Sequence, residues 1–274
     1  MTSFSASDAA LSGVQVIRQH WRAVVGWAVF NIVALVAMVV VTVVVAITVS
    51  AAAGGGASEL TGGVGGVVAL IGTIAVEVVL VAGLFRLMQR PEDQGFIYLR
   101  VGFDELRIFA VWLLMLLAIF LIIGAGVFLA GLTEGVPGAG PVIAVLGFLV
   151  TVWLGIRFSM AAPASFAERR FAFLQSWRMT RGHVWGLLGM SLLSACLVAL
   201  ISVFALILVL LTLGLTAGFG SLFEALNDPE ALTSHPGLYF AQMAFELVLT
   251  PFMLVISAAP TMAAYQALRG EAAA

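Results

Sequence analysis

The sequence predicts an all-α fold: a polytopic integral membrane protein with six transmembrane helices in three hairpins, both termini cytoplasmic, and interfacial helices on the cytoplasmic side. Three observations predict it. Hydrophobic residues fill 62% of the 274 positions and charged residues only 9%, far below the roughly 25% charged of a soluble domain, so most of the chain has lipid as its solvent. Six apolar runs each exceed the ~20 residues that cross a hydrocarbon core about 30 Å thick. The basic residues, 12 in number and all Arg, alternate with those runs. Arg18 and Arg22 precede the first run, Arg86, Arg90, Arg100 and Arg107 surround the second connection, Arg157, Arg169, Arg170, Arg178 and Arg181 surround the fourth, and Arg269 closes the chain. The other three connections carry none. Cytoplasmic loops hold the Arg excess, so the termini share the cytoplasm and the number of spans is even.

Taken in order, the runs place helices over about 23–49, 64–88, 108–132, 141–162, 185–215 and 239–268, making residues 1–274 one transmembrane domain. The first run precedes Ala51, Ala52 and Ala53, as a signal sequence precedes its cleavage site, but it is too long for a signal h-region and reads as a retained helix. The outer connections are Gly-rich or acidic. Residues 54–66 form a glycine linker, residues 131–140 carry Glu134, and residues 216–238 carry Glu224, Asp228, Glu230 and His235, with a turn expected at Asn227-Asp228-Pro229.

The cytoplasmic connections are more structured. If residues 166–181 form one helix, Phe166, Phe173, Leu174 and Trp177 share an arc with Glu168 and Gln175 opposite, an amphipathic pattern suited to the membrane surface. Arg170 and Arg181 fall near the apolar arc, where long stems can cross apolar surface while the guanidinium reaches headgroups. Each odd-numbered helix is preceded by a stretch with Arg and a bulky residue, best matched between Arg18-Gln19-His20-Trp21 and Arg181-Gly182-His183-Val184-Trp185, and Ala-Ala-Pro recurs at 161–163 and 258–260. A parallel hairpin repeat fits these matches, unlike the inverted repeats of many secondary transporters.

Two acidic residues sit inside the runs. Glu77 lies near the centre of the second helix, where an acidic side chain costs about 2.5–3.5 kcal/mol on insertion scales unless paired or neutralised. Arg86 is about 13 Å further along the same helix and cannot reach it. Glu77 therefore either hydrogen-bonds in its protonated form or carries a proton. Glu246 lies nearer the outer end of the sixth helix, where Pro251 and Pro260 free carbonyls. His20, His183 and His235 lack metal-ligand spacing, Cys196 stands alone, and there is no nucleophile elbow, phosphate-binding loop or dinucleotide fingerprint. No enzymatic activity, metal or cofactor is expected. A net charge of −2 with membrane-flanking Arg argues against a nucleic-acid partner.

Arg157, Ala162-Pro163, the stretch Phe173-Leu174-Gln175-Ser176-Trp177-Arg178-Met179-Thr180-Arg181-Gly182 and Trp185-Gly186-Leu187-Leu188-Gly189 resemble bacterial polytopic proteins related to the membrane domain of some glycerophosphoryl diester phosphodiesterases. The resemblance implies a bacterial inner-membrane domain, sometimes fused to a lipid-headgroup hydrolase whose metal-binding carboxylates and histidines are not found here. Two functional readings follow. The first is a non-enzymatic protein that organises lipids, anionic ones among them, or a membrane-protein partner through Arg157, Arg169, Arg170, Trp177, Arg178 and Arg181. Loss of Arg170 and Arg181 is expected to weaken anionic-lipid binding more than loss of Arg86 and Arg90. The second is a small transporter or permease-like subunit built on Glu77.

Overall fold

In the computed structural model, which describes residues 5–52, 58–92, 95–133, 135–220 and 236–273, the described residues are helical with short connections. The order is α1 (Ala6–Gln19), α2 (Trp21–Ala52), α3 (Ser58–Gln89), a 3-10 turn (Gly95–Tyr98), α4 (Phe103–Leu132), α5 (Ala139–Phe158), α6 (Ala161–Glu168), α7 (Phe173–Met179), α8 (Val184–Ala217) and α9 (Pro236–Ala273). Six helices are long and apolar enough to span a membrane: Trp21–Ala52, Leu60–Gln89, Phe103–Leu132, Ala139–Glu168, Val184–Thr212 and Leu247–Gly270. The protein is a multi-pass membrane protein; most helix ends lie a few residues from those of the apolar runs, and α5 ends at Phe158, short of the expected 162.

Where the chain is tightly packed follows from what drives association in lipid. Apolar side chains gain little by leaving acyl chains for one another, so close packing needs small residues or polar bonds. Both concentrate at the Arg-rich end. There Trp27, Leu80, Leu84, Phe85, Phe166, Met160, Met190, Met262 and Tyr265 are wholly buried in one core drawn from most of the helices. Toward the opposite end the helices present Val and Leu to lipid, as along Val33–Ile47 of α2, and α2 touches α3 there through Met38 over Gly72 and Thr42 beside Gly65.

Specific contacts fix the arrangement. Pro251 has no N–H for the carbonyl of Leu247 one turn earlier, and buried Asn31 of α2 donates to that oxygen at 3.0 Å, pinning α2 to α9. Helix α1, absent from the sequence reading, crosses α9 and reaches α8. Ser5 caps it, accepting from Asp8 N–H at 3.3 Å. Its packed face is small, with Ala9, Ala10 and Gly13 at helical spacing. A Cβ at Gly13 would stand 2.6 Å from Ile256 Cα, so only glycine permits this approach.

The single helix expected over residues 166–181 does not form. Pro163 leaves the Ser159 carbonyl without its helical donor, the chain turns at Ser159–Met160, and α6 then ends at Arg169 in a left-handed conformation, φ 53°. Phe166 consequently belongs to the core, whereas Phe173 and Trp177 of α7 pack on Phe158 at the end of α5. Leu174 is 77% exposed. Ser165 Oγ accepts from Ala172 N–H at 3.1 Å and Ser176 Oγ donates to the Arg157 carbonyl at 2.7 Å, so buried hydroxyls hold the broken path together.

Candidate functional site

The structure divides the six residues expected to form one face. Arg169, Arg170, Arg178 and Arg181 are exposed. Arg170 is held by Glu168, with Nε 2.8 Å and Nη2 2.7 Å from Oε2, and also donates to Gln175 at 3.3 Å. Glu168 further accepts from Gln175 and, at 3.4 Å, from Tyr265 of α9, tying α6, α7 and α9 together. Beside these arginines stand exposed Phe171 and Leu174 and, at 83% exposure, Trp185.

Arg157 and Trp177 are brought into a different setting. The Arg157 guanidinium carbon lies 5.7 Å from the Trp153 ring centroid and 5.1 Å from that of Trp177, and the two rings meet edge to face at 5.1 Å. Trp153 is one helical turn before Arg157 on α5, while the break before α7 swings Trp177 over both. The aromatic faces attract the cation, each by about 0.5–2 kcal/mol, and hold it in place. Nε and Nη1 are buried with no acceptor among the described residues.

Arg86, expected from sequence only to flank the second connection and to serve with Arg90 for comparison, is a buried structural residue. It is 3% exposed and pairs with Glu105, itself 5% exposed, at the start of α4. Its other branch donates to the Tyr98 carbonyl, and its guanidinium carbon lies 5.8 Å from the Phe166 ring centroid. Arg90 stands 5.5 Å from the same ring and 3.8 Å from Asp104, which also binds Arg107 at 2.6 Å. The turn that aims Tyr98 is strained: Ile97 and Tyr98 have φ of 52° and 62°, a conformation costing of order 1–3 kcal/mol per residue. Trp27 Nε1 offsets part of this by donating to the Ile97 carbonyl at 2.8 Å. The signal for this hub lay in sequence as Asp104-Glu105 beginning a helix, but nothing there paired Glu105 with Arg86 on another span.

Glu77 is half-buried on α3, and no described residue hydrogen-bonds its carboxyl. The side chain of Glu246 lies outside the described residues, as do Asp228 and His235. Two apolar cavities flank α4. One, about 370 Å³, is lined by Ile74, Trp112, Ile119, Phe158, Ser159 and others at the Arg-rich end. The other, about 430 Å³, lies between α4 and α5 and is lined by Ile119, Gly126, Gly140, Ile143, Gly147 and Thr151 among others. Glu77 is in neither wall. Among the described residues, no group of three or more His, Cys, Asp and Glu is placed to hold a metal ion.

Fold and site together define a multi-pass helical membrane protein with a packed, arginine-rich end. Compared with protein-family models, with curated proteins and with solved structures, the chain finds no match in any of the three.

Proposed function

We infer that this is a non-enzymatic protein of the bacterial inner membrane, with both termini cytoplasmic, that organises lipids, anionic ones in particular, or a membrane partner through its Arg and aromatic end. One observation carries the reading: at three entrances to the membrane, large exposed apolar side chains adjoin Arg in the chain. Trp21 precedes Arg22, whose guanidinium it stacks at 5.6 Å; Val101 and Phe103 follow Arg100; and Phe171, Leu174 and Trp185 accompany Arg170 and Arg181. Such side chains are poorly placed in water and well placed in the headgroup layer, where the ring or alkyl group enters the acyl boundary and the guanidinium meets phosphate. Anionic headgroups add about 1 kcal/mol per basic residue near the surface.

The test is made in nanodiscs of mixed phosphatidylglycerol and phosphatidylcholine. Arg170→Ala with Arg181→Ala lowers phosphatidylglycerol enrichment around the protein more than Arg18→Ala with Arg269→Ala, two exposed arginines outside the 169–185 segment that carries Phe171, Leu174 and Trp185. Equal losses would reduce the effect to generic charge attraction and sink the reading. Arg86 is excluded as a control because its removal opens the core.

A further inference from the structure

We propose that Arg157 and the apolar groove along α4 and α5 form one site for a single membrane phospholipid, its phosphate at the guanidinium and one acyl chain in the groove. The assignment rests on the lipid-facing reading above and gives it a defined position.

The comparison with Arg86 is the starting point. Both arginines lie at the same end of the bundle, yet Arg86 has a carboxylate and a carbonyl while no described residue supplies an acceptor to Arg157. An unmet guanidinium near the membrane is unstable unless an anion reaches it, and the two Trp rings prevent this one from swinging freely into water. With no partner among the described residues, it takes one from outside the chain. With Nε and Nη1 covered, Nη2 is the nitrogen that an arriving phosphate meets first.

A second observation says what else the ligand carries. Phe158 is in tilted contact with Trp177 at 5.7 Å and also lines the cavity beside α3 and α4, so the Trp177 and Phe158 rings lead from the guanidinium to an apolar space. Ile119 lines both cavities, which follow one another along α4. Gly147 and Gly126 line the groove, where an added Cβ would come into ordinary contact with Ile122 at 3.9 Å and Ile143 at 3.8 Å. From Phe158 to Gly147 the groove descends about 16 Å at 1.5 Å per residue, close to half of a core about 30 Å thick. That is the depth of one leaflet. A phosphate on one side of Phe158 and an acyl chain on the other describe a phospholipid bent around the end of α5.

The whole chain is purified from phosphatidylglycerol and phosphatidylcholine nanodiscs into mild detergent, washed, and examined by native mass spectrometry and by exchange of a spin-labelled phosphatidylglycerol. A lipid that survives washing is expected for the natural chain. Arg157→Gln should release it roughly tenfold faster, the loss of one charge-assisted hydrogen bond. Gly147→Leu, which fills the groove without touching the cage, should release it too, whereas Gly189→Leu on α8, where an added Cβ meets nothing, should not. Unchanged retention in Arg157→Gln overturns the proposal, as does retention in a folded Gly147→Leu protein, or a co-purifying protein in place of lipid. The Arg170 and Arg181 variants keep this lipid while losing general enrichment, so the two readings fail separately.

Discussion

Arg86 and Glu105 are joined in a pocket from which water is excluded, and the consequence is asymmetric. Losing one partner strands a charge; losing both strands none. Glu105→Ala should therefore destabilise the protein by about 3–5 kcal/mol, read as a lowered thermal unfolding midpoint in detergent, while Arg86→Met combined with Glu105→Leu should recover most of the loss. Two single changes that add without recovery would show that the pair is not coupled. Glu77 poses a separate question, since no described residue holds its carboxyl. If its role is structural, Glu77→Gln preserves shape and polarity, and thermal stability and growth phenotype stay intact. A folded, inserted but wholly inactive Glu77→Gln protein would instead favour the transporter reading, in which the carboxyl must take up and release a proton.

At the scale of elements, α1 is the least expected part of the molecule. Its seam on α9 depends on backbone approach at Gly13, so Gly13→Leu should lift α1 from α9 while leaving the six spans inserted. Hydrogen exchange measured over Ala6–Gln19 would rise sharply; unchanged protection would mean that the seam tolerates a side chain. The sequence carried the signs of this helix, Ser5 before Asp8 and an apolar face through Ala9, Gly13 and Val16, but a short amphipathic segment of low overall hydrophobicity is passed over when helices are sought as long apolar runs. The break between α6 and α7 was hidden for another reason. A period of 3.6 can be drawn through Phe166, Phe173 and Trp177 whether or not the backbone is continuous, and the left-handed Arg169 that interrupts it has no residue-type signal of the kind glycine gives.

At the scale of the molecule, the Arg pattern predicts orientation. Reporter fusions at Ala57, Gly135 and Asp228 should register outside and those at Asp93, Glu168 and Ala274 in the cytoplasm; one reversed pair would require a different span count on one side. The crossing segments were legible because a bilayer imposes a length and a polarity on every one of them, so apolar run length and Arg placement suffice. Glu77 was legible as a lone carboxylate in such a run. By contrast, the pairing of Arg86 with Glu105, the Trp153 and Trp177 cage around Arg157, and the seating of Asn31 on the Leu247 carbonyl each join residues from different helices. Hydropathy treats all helices as equivalent in lipid, so it cannot say which neighbours meet. By itself the sequence determined how many times the chain crosses and where its charges lie; only the tertiary structure decided which arginine is satisfied within the protein and which is caged by aromatic rings with no acceptor among the described residues.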